Sequence, residues 1–318
     1  MPASRLSRQS QPASAPQHRV IAVVPAYHPD DRFHARLSAL AAQVDRVIVV
    51  DDGTGADPGG VFARAAESGA TVRHLERNSG IATALNTGVR EALADGATHV
   101  VNLDQDTVLP SGYVARALDV FERANRVTNI GIVCVDAVNG APALPTWVSP
   151  EGFGLVPEAI QTGFAISRAC LDAAGLFDEG FVIDCVDREY CLRVRDRGFR
   201  IAVAKGTDVR HAIGHRAELR PFGIPIRNPD GKIATYQYHS PFRRYYIARN
   251  NIDLLLRNLR KRPHWVLTVI RRETPGMIVS IVSGPKRVAQ LLAITVGTFH
   301  GFIRRRGMIP GWLMRLVT

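Results

Sequence analysis

The chain is 318 residues long, 46% hydrophobic and 22% charged, a globular composition that excludes a disordered or low-complexity protein. Its net charge of +11 is uneven: from Arg243 onward fifteen Lys and Arg face only Asp253 and Glu273, whereas the first 242 residues hold 25 basic and 27 acidic side chains. That split excludes a uniformly basic nucleic-acid binder, and four cysteines without a C-x-x-C pair suit a reducing compartment rather than a disulfide framework.

Residues 1–19 are rich in Ser, Pro, Gln and Ala and carry no apolar signal-peptide core, so they read as a disordered leader. The run V-I-A-V-V at 20–24 is the pattern of a strand buried on both faces, and Pro25-Ala26-Tyr27 ends it. Helical spacing of Phe33, Leu37, Leu40 and Val44 follows. A strand at 46–50 runs into Asp51-Asp52-Gly53. A helix near 58–68, a strand at 71–75, and Arg77-Asn78-Ser79-Gly80 opening a helix to about 93 come next. The strand at 99–103 delivers N-L-D-Q-D-T, in which Asp104 and Asp106 share one side if the strand continues. Two carboxylates held together repel unless a cation neutralises them, and Mg²⁺ or Mn²⁺ bridges such oxygens to phosphates. A lone D-x-D is also what an Asp-rich turn looks like.

Strand–helix alternation predicts an α/β fold with a Rossmann-like mixed or parallel sheet flanked by helices. Ligands of such sheets bind at the carboxyl ends of the strands, where Tyr27, Asp52, Asn78, Asp104 and Asp106 all fall. No G-x-G-x-x-G follows the first strand and no P-loop motif is present, which weakens dehydrogenase and NTPase readings. After a helix near 112–125 and a strand at 130–135 comes a Pro-rich loop at 139–158. Gln161-Thr162-Gly163 then leads to a helix at 168–174. The segment F-V-I-D-C-V-D-R-E-Y-C-L-R at 181–193 reads as an apolar strand running into an acid-rich helix, a pattern that a solvated helix N-terminus also shows. His211-Ala212-Ile213-Gly214 closes the expected domain.

Jointly these motifs, with R-R-Y-Y-I-A-R-N-N at 243–251, resemble the inverting family-2 glycosyltransferases with a GT-A fold. Within them the chain is most similar to bacterial rhamnosyltransferases of O-antigen and cell-wall polysaccharide assembly. The resemblance spans roughly residues 20–251. It implies that Pro25 and Tyr27 line the base pocket and that Asp52 accepts from N3–H of a pyrimidine. It places Asn78 and Gly80 beside the nucleotide, Asp104 near the ribose, and Asp106 and His211 on Mg²⁺ or Mn²⁺. Asp187 aligns with the catalytic base, with Val186 where the family usually has Glu, and Glu189 and Arg193 would orient the base loop. The implied donor is dTDP-L-rhamnose, and the implied acceptor a lipid-linked or polysaccharide glycan. The same fold with UDP-galactofuranose, UDP-glucose or UDP-GlcNAc, or a non-catalytic nucleotide-sugar-binding scaffold, are the alternatives.

The expected division is a leader at 1–19, a catalytic domain at 20–250 and a basic amphipathic helical tail at 251–318. The longest nearly apolar run, 288–303, is shorter than the about 20 residues a spanning helix needs. Basic residues interleaved with Leu, Ile and Val predict helices lying on an anionic membrane, hence a cytoplasmic protein peripheral to the inner face of the cell membrane. Packing of these helices on the catalytic domain or on a second copy in a homo-oligomer is the other reading. Nucleic acid is not an expected partner, since stacking aromatics are not interleaved with the charge.

Overall fold

The run after Arg19 forms β1 (Val20–Ala26), buried along its whole length. Val20, Ala22 and Val24 face one core and Ile21 and Val23 the other, so the strand is covered on both sides as its apolar run requires. The structure is a computed structural model that describes residues 18–57, 59–143, 145–211 and 214–318. The expected leader lies outside these residues apart from His18 and Arg19, as do Ala212 and Ile213 of the His211 motif.

From β1 the chain continues through α1 (Phe33–Ala41), β2 (Arg46–Asp51), α2 (Val61–Glu67), β3 (Thr71–His74), α3 (Ile81–Ala94) and β4 (His99–Asn102). Then come α4 (Tyr113–Ala124), β5 (Ile130–Val138), β6 (Ala141–Pro142), β7 (Trp147–Val148), β8 (Gly154–Val156) and β9 (Phe164–Ser167). After α5 (Arg168–Ala174), α6 (Val186–Asp196) and β10 (Arg200–Val209), a short hairpin pairs β11 (Arg216–Glu218) with β12 (Thr235–Gln237). The chain ends in α7 (Pro241–Asn258), α8 (Pro263–Ser283), α9 (Arg287–Phe302) and α10 (Gly311–Val317).

The main sheet runs β3-β2-β1-β4-β9-β5-β10-β8-β7, with β6 on β5. Its first four strands are parallel, whereas β9 inserts antiparallel to both β4 and β5. The sheet is therefore mixed. Pro25 is tolerated in a central strand because the β1–β4 ladder ends at Val23 and Asn102, so its missing N–H interrupts nothing on that side.

Residues 181–185 are not a strand: Asp184 and Cys185 both adopt φ near +60° and deliver the chain into α6. Among the described residues no helix is long and apolar enough to cross a membrane. The expected boundary at 250/251 falls inside α7, which buries Tyr245, Tyr246, Arg249, Asn250 and Asn251. A third apolar cluster joins Tyr245 and Tyr246 to Val182 of the loop before α6 and to Ala293, Ile309 and Leu313 of the C-terminal segment.

Candidate active site

The strand β4 stops at Asn102, and the backbone N–H of Thr107 donates to Asp104 O at 3.1 Å, closing a four-residue turn. Asp104 and Asp106 are thus brought together by a turn, not by the pleat of a continuing strand. Gln105, at the tip, faces the other way. Its Oε1 accepts from the Tyr27 N–H at 2.7 Å and its Nε2 donates to Tyr27 O at 3.0 Å, tying the ends of β1 and β4 together. Tyr27 itself is exposed, its ring edge-on to His28.

Asp104 is held from two sides. Its N–H donates to Thr162 Oγ1 at 3.1 Å, and its Oδ1 accepts from Gln161 Nε2 at 2.9 Å. His211 reaches the turn because Val108 and Arg210 form an isolated antiparallel bridge at the end of β10. Asn139 fixes the His211 backbone on its other side, donating to His211 O at 2.7 Å. His211 Nδ1 lies 2.8 Å from Thr107 Oγ1 and 3.2 Å from Asp106 Oδ1. One donor atom from each of Asp104, Asp106 and His211 falls within 4.8 Å of the others, all three residues half-buried. Two carboxylates and an imidazole suit a divalent cation such as Mg²⁺ or Mn²⁺. Their charges are already coupled. Burial raises the Asp104 carboxyl, with Asp106 adding to it. Burial also works against Asp106, yet His211 holds it below the usual carboxylate range, and the hydrogen bond with Asp106 in turn lifts His211.

Asp52 follows β2 and accepts from the N–H groups of Ser79 at 2.7 Å and Gly80 at 2.9 Å. Burial raises its pKa against these two donors. A carboxylate offers about four lone-pair sites, so two remain for a ligand. Asn78 is half-buried in the same loop. The close approach that Gly80 permits is to protein: at φ +97° a Cβ there would sit 2.5 Å from Val182 O, and the Ile81 N–H donates to that same oxygen. The loop beside Asp52 is thereby fastened to the loop before α6.

Asp187 lies in the first turn of α6. Burial pushes its carboxyl up to about 6. The Arg188 N–H, at 2.7 Å, and the Arg188 charge oppose that shift, while Asp104 and Glu158 reinforce it. Glu189 pairs with Arg193 along the helix, and Arg193 also donates to Ala174 O, which braces α6 on the end of α5.

The structure therefore brings Asp104, Asp106 and His211 into one cluster and Asp52, Asn78 and Gly80 into a neighbouring loop, with Pro25 in β1 leading to Tyr27 at the same sheet edge. Sequence reasoning missed Gln105, Gln161, Thr162 and Arg243. Arg243 grips Asp184, with Nη2 2.5 Å from Oδ1, and its charge also acts on Asp104 and His211. The available signals were the Q-T-G segment and the R-R-Y-Y-I-A-R-N-N motif, to which no roles were attached.

A family model described as "Glycosyl transferase family 2" matches residues 21–167, the span from β1 through β9. The dTDP-rhamnosyl transferase RfbF of Shigella flexneri is 28% identical over 253 residues, covering 75% of this chain and 80% of that protein. The structure of S. aureus TarS 1–349 in complex with UDP-GlcNAc matches 90% of this chain and 92% of its own, with TM-score 0.52 at 15% identity. GalNAc-T7 with UDP, GalNAc and Mn²⁺ matches 61% of this chain with TM-score 0.49 at 13% identity, and the chain spans 44% of that one. The sheet order and the TarS likeness give the fold as GT-A. With the family model matched at 21–167 and the RfbF relative, they make the chain similar to the family-2 glycosyltransferases and, among them, to a rhamnosyltransferase.

Proposed function

We propose that the chain transfers L-rhamnose from dTDP-L-rhamnose, with inversion, to a hydroxyl of a lipid-linked or polysaccharide acceptor. The observation that carries this reading is the convergence of Asp104, Asp106 and His211 at the end of β4, with the buried carboxyl of Asp187 on α6 within reach of the Asp104 charge. The RfbF relative supports the sugar and the nucleotide.

In this reading Pro25 and Tyr27 wall the base pocket, and Asp52 uses its remaining lone pairs to accept from N3–H of thymine, which a purine cannot offer in that place. Asn78 and Gly80 border the nucleotide, and Asp104 turns toward the ribose. Asp106 and His211 hold Mg²⁺ or Mn²⁺, with Asp104 beside them. When bound, the cation neutralises the charge that develops on the departing dTDP. Asp187 takes the proton of the acceptor hydroxyl on the face opposite the leaving group, which one carboxylate can do without a covalent intermediate. A carboxyl with pKa near 6 is ionised at neutral pH yet basic enough to hold that proton. Glu189 and Arg193 keep α6 in place.

The same proposal assigns the chemistry to residues 20–250 and membrane attachment to 251–318. The helix α9 turns Gln290, Ala293, Gly297 and Gly301 inward and leaves Val288, Leu291, Phe299 and Phe302 exposed. Small residues inside and large apolar residues outside invert the usual arrangement of a water-facing helix. With Arg304 and Arg305 exposed at its end, that face fits the headgroup region of an anionic bilayer at the cytoplasmic side.

The test is thermal melting with dTDP-L-rhamnose, UDP-galactofuranose, UDP-glucose and UDP-GlcNAc, each with Mn²⁺ and with EDTA. A ligand that binds only the folded state raises the melting temperature. A Mn²⁺-dependent rise with dTDP-L-rhamnose alone is expected. A rise with a UDP-sugar instead would replace the donor, and no rise with any of the four would overturn nucleotide-sugar binding by this site.

A further inference from the structure

Arg188 immediately follows the proposed base, and its side chain, only 16% exposed, is engaged by two carboxylates. Its Nε lies 3.3 Å from Glu158 Oε2 and its Nη2 lies 3.0 Å from Glu273 Oε1. Arg272 closes the ring, with Nε 3.2 Å from Glu273 Oε1 and Nη2 3.9 Å from Glu158 Oε2. Two arginines and two glutamates thus form a neutral square. Its corners come from α6, from the loop before β9, and from neighbouring positions on α8. Arg188 Nη1 also donates to Asn251 Oδ1 on α7, and Trp265 Nε1 donates to Glu158.

What the square connects gives it meaning. Glu158 stands three residues before Gln161, whose amide holds Asp104, and four before Thr162, whose hydroxyl accepts the Asp104 N–H. Arg188 is covalently next to Asp187. The square is therefore a short mechanical link between the donor-side carboxylate and the base. Glu273 is one of only two acids after residue 242. A carboxylate set alone among basic residues, and turned inward onto Arg188, is hard to explain as surface charge. The loop entering α6 needs such support, since Asp184 and Cys185 both sit at positive φ. Asn250 donates to Ile183 O and Asp184 O from the same helix as Asn251.

We propose that Arg188, Glu158, Arg272 and Glu273 are positioning residues that set the distance between Asp187 and the donor held at Asp104. In this proposal they act through Asp187 and the Asp104 loop rather than on the substrate. The proposal rests on Asp187 being the base. Misplacement of a reacting group by about 1 Å costs on the order of 100-fold in rate without a matching loss of binding. Opening the square at one corner is therefore expected to lower kcat more than it raises the donor KM.

The groups whose charges act on Asp187 are Arg188, Asp104 and Glu158, and they give the square an electrostatic signature as well. Losing Glu158 removes a charge that raises the base, and losing Arg188 removes one that lowers it. The experiment uses the full chain with whichever of the four nucleotide sugars the wild type turns over, with water taking the sugar in place of the acceptor hydroxyl, following release of the nucleoside diphosphate against pH. Glu273→Gln is expected to lower kcat about 10- to 100-fold with donor KM within about 2-fold, and Glu273→Asp to recover part of the loss. Glu158→Gln is expected to move the acid limb of kcat/KM to lower pH, and Arg188→Gln to higher pH.

Asp187→Asn is measured in parallel. If it retains transfer, the base assignment fails and this proposal with it. If it is inactive while the Glu273 and Glu158 variants keep wild-type kcat and pH limbs, the square is only structural and the base assignment stands. Proportional loss of kcat, donor binding and melting temperature would also overturn it. Arg272→Gln, at the half-exposed corner, carries the same expectation if Glu273→Gln does not fold. Absence of turnover of all four donors by the wild type would overturn the functional reading and this one together.

Discussion

A carboxyl that accepts a proton from a sugar hydroxyl has to be recessed enough to hold it and near enough to a cation to release it. In its proposed role Asp187 answers both demands, since burial raises it to about 6 while Arg188 pulls the other way. The sign of its pH dependence follows. Below about pH 6 the carboxyl of the free enzyme is protonated and cannot act as base, so kcat/KM falls as pH drops through that value and is flat above it. Asp187→Asn should lose roughly 10²- to 10⁴-fold in transfer, with an unchanged melting shift on adding donor and Mn²⁺. An active variant would remove the residue from the role. The proposed metal cluster has its own sign. His211, raised by Asp106, must give up its proton to act as a ligand, so cation binding releases protons and weakens as pH falls below the His211 pKa. Calorimetric titration of Mn²⁺ in buffers of different protonation enthalpy measures this directly. Equal heats in all buffers would count against His211 as a ligand, and His211→Asn should bind Mn²⁺ more weakly with less pH dependence.

At the scale of elements, the close seat of α9 on α7 depends on glycine. A Cβ at Gly297 would come 2.5 Å from Tyr245 O, with backbone rather than a flexible side chain in the way. Gly297→Val should therefore push the two helices apart at a cost of about 1–3 kcal/mol, seen as a lower melting temperature. Activity should fall as well, because Arg243 and Asn250 on α7 hold the loop before α6. Thr295→Val, on the exposed side of the same helix, should do neither. These contacts also explain what could be read in advance. The runs at β1, β2 and β4 were legible because a strand covered on both faces must be continuously apolar. β9 was not legible as a strand at all, and its antiparallel insertion is decided by its partners. β10 escaped notice where Lys205, Gly206, Thr207 and Asp208 interrupt its apolar pattern and its ladder with β5 shifts register. Phe181, Val182 and Ile183 look like a strand, but Asn250 captures the Ile183 and Asp184 carbonyls from more than sixty residues away. The grouping of two carboxylates and an imidazole was legible as residue types. The partners that aim them, Gln105, Gln161 and Arg243, act through contacts over long sequence distances and carry no local signature.

The whole molecule shows where the lopsided charge goes. Arg243 meets Asp184, Arg257 and Arg306 meet Asp178, and Arg262 meets Asp196, so part of the basic C-terminal quarter neutralises acids of the preceding domain. Buried histidines make global stability depend on pH. His99 is lowered to about 4 by burial and by His18, and His239 to about 4 by burial and by Arg244 and Arg243. Both remain neutral when folded but gain protons near 6.5 when unfolded, so stability is full above pH 6.5 and is lost as pH falls toward 4. Each contributes at most about 1.4 kcal/mol per pH unit. His99→Phe should lose less stability between pH 7 and pH 5 in urea unfolding than the wild type, and an equal loss would exclude His99 as a source. The basic residues that are not engaged internally bear on the proposed membrane attachment. Removing 286–318 would not isolate that property, because the Gly307 N–H donates to Gly180 O and α9 covers Tyr245. Point changes on the outward face leave those contacts alone. Phe299 and Phe302 are each more than half exposed, so Phe299→Asp with Phe302→Asp should keep the melting temperature. Each basic residue near an anionic surface contributes about 1 kcal/mol, which salt screens, whereas the apolar contribution persists. In co-sedimentation with phosphatidylglycerol-containing vesicles the wild type should bind and loosen partly with salt, and should bind pure phosphatidylcholine weakly. The double variant should remain in the supernatant at every salt concentration. Binding by the variant equal to wild type would move the membrane face elsewhere, and failure of the wild type to bind would leave a second copy of the chain as the partner that covers α9.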